Sequence, residues 1–171
     1  MLVIAGVLLL AALLGASAGC SPKPPATSSP SSRLASRPAS TTLTSPEASV
    51  RSYLAWTSWA YTMADSDLAT QTMTPAEEVR VDSYVQLNRE KGRVIDQRLT
   101  SFEPGEVTIE ATRALASARE TWEYRYVAGD GKRVLTPVYV AHYETTYTVV
   151  AVSPGRWLVE RVDARALDGL K

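Results

Sequence analysis

Three consecutive residues, His142-Tyr143-Glu144, set the chain's only imidazole beside a phenol and a carboxylate. Those types could do general acid–base chemistry on a small molecule if they lay within hydrogen-bond reach of one another. Alternation along a strand works against them, sending His142 and Glu144 to one face and Tyr143 to the other. Tyr139 and Tyr147 share the Tyr143 side, so the tyrosine face is the one expected to line a cavity, and His142 is expected to point outward. No catalytic set follows from these residues.

The other charged groupings read as structural. Glu77, Glu78 and Asp82 follow a helix start, where the helix dipole favours acids. Arg119-Glu120 and Arg161-Asp163 alternate across strands and read as solvated or cross-strand pairs. The aromatic series Trp122, Tyr124, Tyr126, Tyr139, Tyr143 and Tyr147 carries more weight. Its plain reading is core and sheet surface. Its functional reading is a ligand or partner surface built from Trp122, Tyr124, Tyr139, Tyr143 and Tyr147, because aromatic side chains dominate such surfaces.

Composition narrows the classes further. One Cys and one His exclude an internal disulfide, a cysteine-rich zinc site and a multi-histidine metal cluster. No metal or cofactor is expected. The 18 basic and 18 acidic residues cancel overall, but residues 21–45 hold three cations and no acid, and residues 46–171 hold 15 basic against 18 acidic. A domain with that balance lacks the basic footprint of a nucleic-acid binder.

The elements that position these residues begin at Ser45. Ser45 as N-cap and Pro46 at the first helical position open a helix over 46–64, with Val50, Tyr53, Leu54, Thr57 and Tyr61 at helical spacing. Trp56, Trp59 and Met63 add a second apolar stripe. Thr74-Pro75-Ala76-Glu77 predicts a capping box opening a second helix over 75–91, closed by Gly92. The period then becomes two. A strand over 94–102, with Ile95, Leu99 and Ser101 on one side, meets turn chemistry at Glu103-Pro104-Gly105-Glu106. A slip of phase near Thr112–Arg113 predicts a bulge or break. Beyond it Ala114, Ala116, Ala118, Trp122, Tyr124 and Tyr126 share a face. Gly129-Asp130-Gly131 marks a hairpin. Strands over 138–152 and 157–163 follow. Helices and then antiparallel strands make an α+β domain over 46–171: N-terminal helices packed on a curved antiparallel sheet, large enough to bury one core.

The first 45 residues have a different character. Leu2–Leu14 is uncharged, and at helical rise it spans roughly 20 Å, short of a bilayer's hydrocarbon thickness of about 30 Å. An apolar run of this length before small residues reads as a signal segment over 1–19. Ser17-Ala18-Gly19-Cys20 resembles a bacterial lipobox, which makes Cys20 a lipidated N-terminus and a lipid anchor to the membrane. Ser17, where Leu is usual, and the absence of an early Lys or Arg depart from that pattern. An uncleaved anchor and a cleaved, freely secreted protein are the alternatives. In residues 21–45, 17 of 25 are Ser, Thr or Pro, a composition that leaves too little apolar surface to offset ordering entropy. Residues 20–45 are therefore expected to form a disordered tether, with the domain outside the cytoplasm.

The order of elements resembles the cone-fold, nuclear-transport-factor-like superfamily. Within it, the chain is similar to the intermembrane-space domain of plastid-division proteins and their bacterial relatives. The residues that carry this are Tyr53-Leu54-Ala55-Trp56, Thr74-Pro75, the Tyr84…Gly92 exit, Ala118-Arg119-Glu120-Thr121-Trp122, the tyrosine-rich strand and Gly155-Arg156-Trp157-Leu158-Val159. The resemblance implies a non-catalytic module that binds an envelope protein or a small apolar ligand. A cone-fold hydrolase, isomerase or dehydratase acting on a small apolar substrate is the alternative.

Overall fold

A computed structural model describes residues 33–167. The signal segment, Cys20 and the tether as far as residue 32 lie outside the described residues, as do residues 168–171. The chain lays down helix α1 (Pro46–Met63), a short 3-10 turn (Ser66–Thr72), helix α2 (Pro75–Glu90), and strands β1 (Arg93–Glu110), β2 (Arg113–Ala128), β3 (Tyr139–Ser153) and β4 (Arg156–Ala166). The strands form one antiparallel sheet in the order β1-β2-β3-β4. This is the α+β architecture that the change of period predicts.

Helix α1 starts as its sequence dictates, with Ser45 Oγ accepting from the Ala48 N–H at 3.2 Å and Pro46 in the first turn. It stops where Ala64 turns left-handed at φ 53° and Asp65 N–H returns to the Ala60 carbonyl at 3.0 Å. The Thr57, Ser58 and Thr62 hydroxyls bond back to carbonyls one turn earlier, which lets polar residues sit buried in this helix. After the 3-10 turn, Met73 bridges Val159 and Thr74 N–H donates to the Val159 carbonyl at 2.9 Å. The start of α2 is thus pinned to β4.

The predicted capping box does not form. The Thr74 side chain makes no cap hydrogen bond, and Glu77 turns inward, 2% exposed. Glu77 finds stronger donors inside, from Tyr53 and Arg80, than the backbone of the helix start provides.

The turn predicted at Glu103–Glu106 is not a turn either. Strand β1 runs through it with register shifts at Leu99/Ser101 and Pro104/Val107. A Cβ on Gly105 would lie 2.4 Å from Ser117 Oγ, so the glycine serves close approach of two strands inside a bulge. The first shift also changes which side chains face the helices. Ser101 leaves the side of Leu99, and Phe102 takes the place against the core. The real turn is Ala111–Thr112, with Ala111 at φ 53°. It accounts for the change of phase near residue 112. Further shifts at Thr148/Val149 and Ala151/Ser153 bend the other edge.

The expected tether is shorter at its C-terminal end. Leu34 N–H donates to Asp96 Oδ1 at 2.8 Å and Ala35 N–H at 3.1 Å, and Ala35 is buried. Thr42 is tied to Ser52, and Trp157 N–H donates to the Leu43 carbonyl at 2.8 Å. Residues 33–45 therefore run as a strap along the domain. The core lies between α1 and the concave face of the sheet, around Val50, Leu54, Val81, Ala116, Val149 and Val159.

Candidate functional site

Strand β2 alternates so that Ala114, Ala116, Ala118, Glu120, Trp122, Tyr124 and Tyr126 all face the helices. The three alanines let α1 approach closely and fill that half of the concave face with core. The larger residues beyond them hold α1 and α2 off the sheet. The result is a pocket of about 500 Å3 lined from α1 by Tyr53 and Tyr61, from α2 by Arg80 and Tyr84, and from the sheet by Glu120, Trp122, Tyr124, Tyr143 and Tyr147.

The floor of the pocket is polar. Glu120 is 5% exposed. One carboxylate oxygen accepts from the Tyr147 hydroxyl, and the other accepts from Trp122 Nε1 at 2.7 Å. Beside them the Thr145 hydroxyl is buried without a hydrogen bond of good geometry among the described residues. A second buried carboxylate lies behind α1, where the Tyr53 hydroxyl donates to Glu77 Oε1 at 2.5 Å and Arg80 Nη2 donates to the same oxygen at 2.9 Å. The rings of Tyr53 and Tyr147 meet edge-on at 6.3 Å and join the two clusters.

Burial and negative neighbours keep these phenols protonated. The Tyr147 hydroxyl is pushed up first by burial and then by the Glu120 charge, and the Tyr53 hydroxyl by burial, Tyr61 and Glu77. Tyr61 and Tyr143 rise mainly by burial, the latter also through Glu120. Burial opposes the Arg80 charge, yet Glu77 leaves its guanidinium above the ordinary value. The walls are aromatic. Tyr61 and Tyr84 are 5.4 Å apart edge-on, Tyr124 and Tyr126 are 6.2 Å apart, and Arg93 stacks 3.6 Å over Tyr126. The site offers neutral phenol donors, one carboxylate without an ion-pair partner among the described residues, and the Thr145 hydroxyl beside Tyr147, within aromatic walls.

Of the five surface residues expected from sequence, Trp122, Tyr124, Tyr143 and Tyr147 line this pocket. Tyr139 does not line it. It is exposed at the start of β3, 5.4 Å from the Tyr124 ring. His142 faces away from the pocket, with Nδ1 3.0 Å from Thr121 Oγ1, and Glu144 lies on the same outer side between Arg119 and Arg165. Glu120 corrects the expectation of a solvated or cross-strand pair with Arg119. Its phase with Ala118 and Trp122 was the signal that it faces inward. Glu77 carried no such signal, because its partners come from α1 and from its own helix.

In a second depression of about 550 Å3, lined by Arg119, Glu144, Asp163 and Arg165 among others, these four are already in ion pairs: Arg119–Glu144 at 3.4 Å, Arg165–Glu144, and Arg161–Asp163 at 2.8 Å. Exposed pairs of this kind hold little energy. Among the described residues, no three His, Cys, Asp or Glu side chains group as metal ligands, and no helix is long and apolar enough to cross a membrane.

A curved antiparallel sheet cupping helices over a polar-floored pocket is a cone-shaped α+β fold. No family model matches the sequence, and no curated protein does. The intermembrane-space region of the chloroplast protein ARC6 shares the fold at 19% identity, over 70% of this chain and 93% of that one, with a TM-score of 0.55. Two further similar structures have TM-scores below 0.5. A nuclear-transport-factor-2-like protein from Salmonella enterica serovar Typhimurium is 12% identical over 72% of this chain and 89% of its own, at 0.47. A ketosteroid isomerase-like protein from Erwinia carotovora is 18% identical over 72% and 94%, at 0.46. At these identities the likeness is one of fold.

Proposed function

We propose that this chain is a bacterial cell-envelope lipoprotein, anchored through acyl chains on Cys20, whose extracytoplasmic domain is a non-catalytic binding module. Its ligand is a small, mainly apolar molecule with a hydrogen-bond donor at one end. The pocket is the observation that carries this reading: aromatic walls suit an apolar body, and Glu120 with the Thr145 hydroxyl suits a polar end. Both Glu120 oxygens already accept hydrogen bonds, from Tyr147 and Trp122, which favours holding a donor over taking a proton from one. The fold itself fits a binding module and a cone-fold enzyme alike. The intermembrane-space setting of the ARC6 region accords with a domain outside the cytoplasm.

Native mass spectrometry of the full chain, released gently from its own membranes, tests the pocket. A bound small molecule is expected on wild type and lost in Ala164→Trp, which puts an indole at the exposed β4 position lining the pocket. Turnover of the released molecule, abolished by Glu120→Gln, would replace this reading with the enzyme alternative. Palmitate labelling of wild type and Cys20→Ser tests the anchor, and an unlabelled wild type rejects it.

A further inference from the structure

The part of the chain outside the described residues joins the domain at one end of the sheet, and the charge of that end departs from the rest. Residues 1–32 connect at Arg33, whose Nη2 lies 3.9 Å from the position a Cβ on Gly131 would take. Gly129 N–H donates to the Gly92 carbonyl at 2.9 Å, so the junction of α2 with β1 abuts the loop between β2 and β3. This end gathers Arg33, Arg89, Lys91, Arg93, Lys132 and Arg133 against Glu90 and Asp130. Including Asp65 and Asp67, which follow α1, still leaves an excess of cations. Residues 46–171 as a whole hold 15 basic against 18 acidic residues. The same loop and the first residues of β3 leave Val134, Leu135, Val138, Tyr139 and Val140 between 38% and 56% exposed, apolar side chains beside the cations.

We propose that this end is a membrane-docking surface, which lays the β2–β3 loop on a bilayer carrying anionic headgroups. Cations around an apolar patch are the chemistry that an anionic interface selects, the charges attracted to headgroups and the apolar side chains to the acyl boundary. The location agrees, because the segment that bears Leu2–Leu14 and Cys20 enters here. Strand β1 runs from this end to the Ala111–Thr112 turn at the other, where Arg113 is already paired with Glu160. The proposal rests on the tethered reading above, since a tether brings this end to the bilayer.

Spin labelling of the full chain separates the two. Cys20 is kept with its acyl chains, which cap its sulfur against the label, and a single label is placed through Leu135→Cys or, at the opposite end, Thr112→Cys. The chain is reconstituted with vesicles of phosphatidylcholine alone or in equal parts with phosphatidylglycerol. On the mixed vesicles the Leu135 label is expected to become several-fold less accessible to a water-soluble relaxing agent, the Thr112 label staying accessible. Lys132→Glu with Arg133→Glu, or high salt, is expected to restore access. Retention on both vesicle types with a Leu135 label equally accessible on each would overturn docking and leave the tether intact. Retention on the mixed vesicles alone supports docking and breaks the acyl-anchor reading. A chain held by neither type overturns both.

Discussion

Glu120 and Glu144 belong to neighbouring strands and nearly face each other in register, where Glu120 pairs with Tyr143 and Arg119 with Glu144. One residue of phase sends them to opposite sides of the sheet and into different surroundings. Glu120 is buried on the concave side and held by neutral donors, the Tyr147 hydroxyl and the Trp122 indole. Glu144, its side chain 37% exposed, is held by two arginines. In water the charged pairing is nearly interchangeable with hydration. In the pocket each neutral hydrogen bond replaces water that is no longer there, so its loss is felt in full. Coverage, more than the strength of the partner, sets what a carboxylate contributes here.

Asp96 is the strongest test of that rule, because it lies on the side of β1 away from the pocket and is nevertheless 1% exposed. The strap covers it, donating two backbone N–H groups, and Arg125 Nη2 pairs with it at 2.8 Å. If coverage decides, Asp96→Ala is more damaging than a change at the solvated Glu144. It leaves the Leu34 and Ala35 amides without their acceptor and takes a carboxylate from the Arg125 guanidinium, and each buried amide that loses its acceptor costs about 1–3 kcal/mol. Urea unfolding is expected to show that loss, and hydrogen exchange to show the Leu34 and Ala35 amides unprotected. An Asp96→Ala protein as stable as wild type would break the comparison.

On the pocket side, Tyr147→Phe removes one of the two donors to Glu120 while preserving the ring contact with Tyr53. Leaving a buried acceptor half-satisfied is expected to lower the unfolding free energy by about 1–3 kcal/mol. Urea midpoints at neutral pH measure it. A smaller effect on the same residue appears in alkali. Folding raises the Tyr147 pKa, so above pH of about 10 the unfolded chain releases a proton that the folded chain keeps. Stability is therefore complete below that pH and falls as pH rises past it, with Tyr53 and Tyr61 contributing in the same direction. Tyr147→Phe is expected to flatten this alkaline slope, which unfolding curves at stepped pH would show.

The sequence made some of this difference visible. Alternation alone assigns Tyr143 and Tyr147 to one side and His142 and Glu144 to the other. The same phase holds Glu120 between Ala118 and Trp122, but its charge and its neighbour Arg119 make it look solvated. Glu77 was hidden more deeply. Thr74-Pro75-Ala76-Glu77 is a sound local signal, overridden by a tyrosine 24 residues earlier that no local pattern connects to it. Pro104-Gly105 likewise has turn chemistry, yet what uses the glycine is Ser117 across the strand pair. The strap misleads for a related reason. Its Ser, Thr and Pro content forecasts disorder, but the strap is held through its backbone N–H and C=O groups, available whatever the side chains. Local rules set the elements here, and partners distant in sequence set which polar groups are taken inside.

Glu144→Gln closes the comparison from the solvated side. The Arg165 hydrogen bond and charge, with Arg119, hold the Glu144 carboxyl below its ordinary range. A lowered value adds stability above the unfolded carboxylate range, and that contribution is lost as pH falls through the range. Water and salt screen both partners at this surface, since Arg119 and Arg165 are themselves largely exposed. Glu144→Gln is therefore expected to leave the neutral-pH urea midpoint within error of wild type at physiological salt. Repeating the measurement at low salt should uncover the difference that screening removes. A large loss at physiological salt would mean that the outer pairs are sheltered in the folded protein, and that coverage fails to separate the two faces.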